Sequence, residues 1–278
     1  MSKSKGNVVT PMGLLQEHGS DGVRYWAASG RPGADTAFDT GQMRVGRRLA
    51  IKILNASKFV LSAAEPCGAI TAPLDRGMLT QLGWVVRDTT LRLDEYDYTR
   101  ALELTETWFW SFCDNYLELA KGRRYGDQGP ELAGSANGAL TLALSVVLRL
   151  FAPFLPFVTD EVWSWWHDGS VHRAAWPAIS EIQTAIGEDD GQGCLALERA
   201  VLVLGAVRRK KSEEKRAART PVHRALVRDT ESHLDALRLV DSDIRAAGVI
   251  GLLQYERSGD FDVLIELADL QASTEQGA

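Results

Sequence analysis

The sequence predicts a mainly α protein, in which a helical bundle is followed by a small α/β module. Three observations lead there. Stretches between residues 42 and 178 carry apolar side chains at spacings of three, four and seven, the period of helices with one buried face. Short polar turns, such as residues 126–130, separate these stretches and favour antiparallel neighbours. Near the end of the chain Val263, Ile265 and Leu267 alternate as strand residues do. With 278 residues and 45% hydrophobic content, the chain can bury a core, which excludes wholesale disorder.

Taken in order, residues 1–41 are rich in Gly, Ser, Asp and Pro and read as irregular structure around one or two short helices. The bundle is expected over residues 42–178. Its second helix has a stripe of Met78, Leu82, Val85, Val86 and Leu93. The clearest helix opens at Thr99, read as the N-cap, and continues through Leu102, Phe109, Phe112, Cys113, Tyr116, Leu117 and Ala120. A fourth carries Leu142, Val146, Arg149 and Leu150, and Pro153 and Pro156 must end or kink it. Residues 179–278 read as the α/β module. A helix with Leu197, Val201, Leu204 and Val207 inward runs into basic residues 208–219, then a strand over 222–227, a helix over 231–240 and the alternating strand.

The charge balance, 31 basic against 37 acidic residues, leaves a net charge of −6. That excludes a generally sticky nucleic-acid binder but allows local basic faces. Cys67, Cys113 and Cys194 lie too far apart for a CxxC zinc framework, and their odd number suits a reducing cytosol. No apolar segment follows the first lysines, so no secretory signal is expected. The longest charge-free stretch, residues 132–148, is interrupted by Gly134, Ser135, Asn137 and Gly138, and a membrane partner is not expected.

Four groups of residues carry candidate chemistry. Ser2, Lys3, Ser4 and Lys5 precede Gly6 on a loop that could fold over a polyphosphate, with ammonium groups as point charges and hydroxyls as donors. An ordinary solvated terminus has the same composition. In the helix over 42–61, Arg44, Arg47, Arg48, Lys52 and Lys58 occur without a single acid, beside Asn55 and Phe59. Cations, an amide and an aromatic ring are what unpaired RNA bases require; a core Phe59 with solvated arginines is the alternative. Lys121, Arg123 and Arg124 form a further basic cluster at a helix end. Arg208, Arg209, Lys210 and Lys211 lead a run of seven cations against two acids on one helix, suited to phosphates or simply to the helix macrodipole. No Ser-His-Asp arrangement, P-loop or zinc spacing is legible, His167 and His172 included, and no self-contained catalytic site can be read.

These residues also carry a family resemblance. Met1-Ser2-Lys3-Ser4, followed by Lys5-Gly6-Asn7-Val8-Val9, resembles the KMSKS signature loop of class I aminoacyl-tRNA synthetases. Gly19-Ser20-Asp21-Gly22-Val23-Arg24-Tyr25-Trp26 resembles the stem-contact region that follows it. Asn55-Ala56-Ser57-Lys58-Phe59-Val60-Leu61, Phe112-Cys113-Asp114-Asn115-Tyr116-Leu117-Glu118 and Ala152-Pro153-Phe154-Leu155-Pro156-Phe157 are similar to the anticodon-binding bundle of the valine/isoleucine/leucine subgroup. Residues 2–11 and 31–39, with the Asn55 segment, look most like its valyl branch.

The resemblance implies a C-terminal portion that begins within the signature loop: residues 1–41 as loop and stem-contact remnant, 42–178 as the anticodon-binding helical bundle, and 179–278 as the small α/β C-terminal module. It implies that Lys3 matches the second signature lysine, which helps stabilise the phosphates of ATP, with Mg2+, in the intact enzyme. The HIGH motif, amino-acid pocket and editing domain have no counterpart here, so the isolated chain is expected to hold no cofactor and to catalyse nothing. Its expected partners are tRNA(Val) and the catalytic half, in cis or in trans, in the cytoplasm. Arg44, Arg47, Arg48, Asn55, Lys58, Phe59, Lys121, Arg123, Arg124, Arg208, Arg209, Lys210 and Lys211 are the expected tRNA contacts. The alternative is a free-standing tRNA-binding or scaffold protein derived from a synthetase.

Overall fold

The computed structural model describes residues 11–31, 33–63, 66–187 and 191–268. The described chain is mainly helical, with one three-stranded sheet near its end. It divides into two compact units, residues 1–63, 82–110 and 140–182 forming the first and residues 64–81, 111–139 and 183–278 the second.

In the first unit, α1 (Pro11–Ala28) packs along α2 (Thr40–Leu61). The described part of residues 1–41 matches the expected short helices within irregular structure: α1 is kinked where Gly19 takes a φ of 76° that a residue with a Cβ resists, and residues 29–31 and 33–39 are irregular. The two helices approach closely because Gly46 has no side chain: a Cβ there would overlap the ring-bearing side chain of Tyr25. Asp39 caps α2, its carboxylate accepting from the Gly41 and Gln42 N–H groups at 2.6 and 3.3 Å. The helix buries Met43, Leu49, Ile53, Ala56 and Val60, while Leu54 is only half-buried.

Helix α3 (Pro73–Asp94) buries Met78, Leu82 and Val86 as its stripe predicts. Next comes α4 (Tyr98–Ser111), whose cap is Asp97 rather than Thr99: the Asp97 carboxylate accepts from Arg100 N–H at 3.1 Å. Thr99 instead donates to the carbonyls of Ala28 and Gly30. A π-helical turn over Phe112–Tyr116 follows, then α5 (Leu117–Arg124). Phe112, Cys113, Tyr116 and Leu117 are all buried, as their stripe predicts.

Helix α6 (Pro130–Phe151) is continuous. Its glycines interrupt the apolar run but not the helix, and Gly134 lets the Gly68 backbone approach closely enough for Gly68 N–H to donate to its carbonyl at 2.9 Å. Among the described residues α6 is the one helix long and apolar enough to cross a membrane, yet 67% of that stretch is buried in the protein, as in a core helix. It ends before Pro153, and Pro156 opens α7 (Pro156–Trp163) at its first turn. Asp21 caps α7, accepting from Phe157 and Val158 N–H at 3.1 and 2.8 Å. Helix α8 (Ile179–Ile186) carries Glu181, bonded to Arg149 at 2.7 and 3.0 Å.

In the second unit, α9 (Gln192–Glu213) buries Leu197, Leu204 and Val207. Strand β1 (Val222–Asp229) is central in the order β2-β1-β3, parallel to β2 (Ile250–Arg257) and antiparallel to β3 (Asp262–Leu267). Helices α10 (Glu231–Arg238) and α11 (Asp241–Gly248) connect β1 to β2. The pairing of Ala225 with Leu253 and Ile265 sets one face of the sheet. Both α11 and β2 were absent from the expected elements: β2 is an edge strand, exposed or half-buried after Ile250, and shows no two-residue alternation.

Candidate nucleic-acid interface

Helix α2 presents the clearest cationic face. Arg44, Arg48, Ile51, Asn55 and Lys58 are all exposed and follow one another at steps of four, three, four and three, so they line one side of the helix. Arg47 adjoins them and is also exposed, with one guanidinium nitrogen donating to the Glu17 carbonyl. No carboxylate occurs in α2, so nothing on the helix itself neutralises the stripe. Lys52 lies off the stripe, half-buried, with its ammonium 5.6 Å from the centre of the Trp110 ring. Phe59 is half-buried, at the border between stripe and core.

The cluster at the end of α5 is different. Lys121 is exposed, 3.9 Å from Glu118. Arg123 and Arg124 are each only 1% exposed, so they are not the surface contacts the sequence predicts. Arg123 donates to both oxygens of Asp75 at 2.7 and 2.8 Å and through Nε to Asp243 at 2.8 Å. Asp75 also accepts from Tyr116 and Ser135 hydroxyls at 2.8 and 2.7 Å. Burial pulls the pKa of the Arg123 guanidinium down, but its bonds to Asp75 and the nearby Asp243 charge outweigh that and hold it above the ordinary arginine value. Arg124 packs against the Tyr125 ring, 5.2 Å away, and burial lowers its pKa.

The basic run on α9 is divided as well. The helix ends at Glu213 and Lys215 has a φ of 53°, so Lys215, Arg216 and Arg219 do not continue it as expected. Lys211 is 4% exposed and donates to the carbonyls of Ala218 and Gly248 at 2.8 and 2.9 Å, which removes it from the surface set. Burial pushes its pKa down. Lys210 is half-buried, paired at 2.9 Å with Glu214, whose hydrogen bond raises its pKa. Arg208 and Arg209 are exposed, and Arg208 donates to Asn115 Oδ1 at 2.9 Å and to the Asp114 carbonyl at 2.5 Å.

Ser2, Lys3, Ser4 and Lys5 lie outside the described residues. In the first unit a cavity of about 620 Å3 includes Trp26, Arg31, Asp35, Glu103 and Glu106 in its wall; acids outnumber cations there, which disfavours a phosphate. The acceptors that capture Arg123, and Asn115 beside Arg208, are missed by reading the sequence. They are 48, 120 and 93 residues from the arginines they hold.

The sequence profile of the anticodon-binding domain of tRNA ligase matches residues 75–226, more than half of the chain. The chain belongs to that family. The anticodon-binding profile begins inside α3, after the α2 stripe. Valine–tRNA ligase of Salinispora tropica is 54% identical over 267 residues, covering 90% of this chain and 31% of the relative. That of Thermobifida fusca is 52% identical over 273 residues, covering 96% and 30%. Alignments of this extent reach over α2, and the chain spans under a third of these relatives' length. A LeuRS–tRNA–LeuAMS ternary complex from Agrobacterium radiobacter K84 shares the fold, with a TM-score of 0.51 at 17% identity over 97% of this chain and 32% of that one.

Proposed function

We propose that the chain is the anticodon-recognition part of a valine–tRNA ligase and that it holds tRNA(Val) through the exposed face of α2. The observation that carries this reading is the acid-free stripe of Arg44, Arg48, Asn55 and Lys58 in a chain of the anticodon-binding family. Guanidinium and ammonium groups hold the phosphates of the loop, and the Asn55 amide can reach the edge of an unstacked base, with Phe59 at the border as an apolar contact. On the second unit Lys121, Arg208 and Arg209 are the exposed cations of the expected set, and Lys121 and Arg209 can add phosphate contacts.

In a longer ligase, ATP with Mg2+ and the valine pocket would belong to the catalytic half, and Lys3 with Ser2, Ser4 and Lys5 would serve the phosphates during adenylate formation. The odd, widely spaced cysteines support a cytoplasmic setting. The test is binding of this chain to tRNA(Val) transcripts with native and altered anticodons across a salt series. Weaker binding on anticodon change supports recognition by α2. Equal binding to every transcript reduces the faces to phosphate holders, and pyrophosphate exchange by the isolated chain would overturn the assignment as a non-catalytic part.

A further inference from the structure

The π turn over Phe112–Tyr116 interrupts what is otherwise one helical rod, with Leu117 N–H bonded back to the Phe112 carbonyl five residues earlier. Such a turn gives poorer hydrogen-bond geometry than the α-helix around it and is commonly retained where it serves a site. Here it turns the Asp114 carbonyl and the Asn115 amide towards α9, where they receive the two terminal nitrogens of Arg208. Asn115 is itself steadied by its Nδ2 donating to Ser111 Oγ at 3.3 Å.

Arg208 is therefore held in one orientation by two neutral acceptors, and no carboxylate among the described residues forms an ion pair with it. It is still exposed. Lys210, two residues on, has its charge met by Glu214, and Arg209 is exposed without such a cradle. A structural arginine is normally buried or paired, as Arg123 is; a bidentate phosphate contact would use the terminal-nitrogen edge, and that edge of Arg208 is turned to Asn115 and Asp114. Two of its five N–H donors are taken, one on each terminal nitrogen, and this fixes the plane of an exposed guanidinium whose flat face suits stacking on an unpaired base.

We infer that Arg208, set by Asn115 and the π turn, is a stacking contact for an unpaired RNA base, separate from the α2 stripe. This rests on the reading of the chain as a tRNA-binding part. It differs from a phosphate contact in needing the shape of arginine rather than its charge alone.

The experiment measures affinity for a tRNA(Val) transcript across a salt series for the wild-type chain, Arg208→Lys, Asn115→Ala, Arg209→Gln and the α2 variant Arg48→Gln, with a thermal melt of each. Arg208→Lys is expected to weaken binding roughly tenfold, the low end for losing one stacked base, with the salt slope unchanged. Asn115→Ala, which frees Arg208 without removing it, should weaken binding several-fold in the same manner. Arg209→Gln should lower the salt slope by about 1. Wild-type affinity in both Arg208→Lys and Asn115→Ala, or a changed salt slope in Arg208→Lys, overturns the stacking role. If that happens while Arg48→Gln still weakens binding, the proposed function stands and this inference alone fails; if the folded wild-type chain binds no tRNA, both fail. Should Arg208→Lys not fold, Asn115→Ala decides.

Discussion

Helix α2 and the end of α5 carry similar basic clusters and use them in opposite ways. On α2 the arginines stand on the side away from Leu49, Ile53 and Val60, and the helix has no acid, so the charge faces solvent. On α5 the last turn carries Lys121, Arg123 and Arg124, and the two arginines turn inward. What separates them is a pair of acids far away in sequence: Asp75 at the start of α3 and Asp243 on α11 together take three of the Arg123 donors. Local composition reports that a charge exists. Whether it is available depends on a partner that only the fold supplies.

The largest effect should come from breaking the inward cluster. Arg123→Met leaves Asp75 and Asp243 buried without their cation, and should lower stability by about 3–5 kcal/mol in urea unfolding. A midpoint close to wild type would mean that the network contributes little beyond packing. Lys211→Met leaves the buried Gly248 carbonyl and the part-buried Ala218 carbonyl without their donor and should cost about 1–3 kcal/mol. If Lys211 were a phosphate contact instead, the loss would appear in the salt slope of tRNA binding and not in unfolding.

A smaller effect is expected from the partly exposed pair of Arg149 and Glu181. The Arg149 hydrogen bond holds the Glu181 carboxyl below its usual value of 4.5. A depressed carboxylate stabilises the folded state above its unfolded pKa, and the contribution fades as pH falls through the folded value. Unfolding midpoints of Glu181→Gln should therefore lack part of the wild-type decline in that acidic window, by less than about 1 kcal/mol because Glu181 is partly solvated. Identical pH profiles would remove the pair from the account. The smallest stability change, within about 0.5 kcal/mol, is expected for Arg44→Gln combined with Arg48→Gln. The same double variant should lower the salt slope of tRNA binding by about 2, which makes it the counterpart of Arg123→Met.

This contrast also explains what the sequence makes legible. The stripe of Leu102, Phe109, Phe112, Tyr116 and Ala120 is buried throughout, because helix periodicity is a local property. The prolines mark the boundary of α6 and α7 for the same reason, since a missing N–H acts within one turn. Strand β2 escaped because beyond Ile250 it is exposed or half-buried and shows no two-residue alternation. For the interface, the α2 face is legible as an acid-free run with an apolar side. Arg123 and Lys211 were misplaced because Asp75, Asp243 and the Gly248 carbonyl, which hold them, lie elsewhere in the chain, and Asn115 had no local mark to connect it with Arg208.

The most direct test places a photo-crosslinking side chain at Ile51, which is 47% exposed in the middle of the α2 stripe, and maps its adducts on tRNA(Val). The account predicts adducts in the anticodon loop that disappear at high salt. Adducts confined to another part of the tRNA, or none while the chain still binds it, would contradict the assignment of α2 as the anticodon-facing surface.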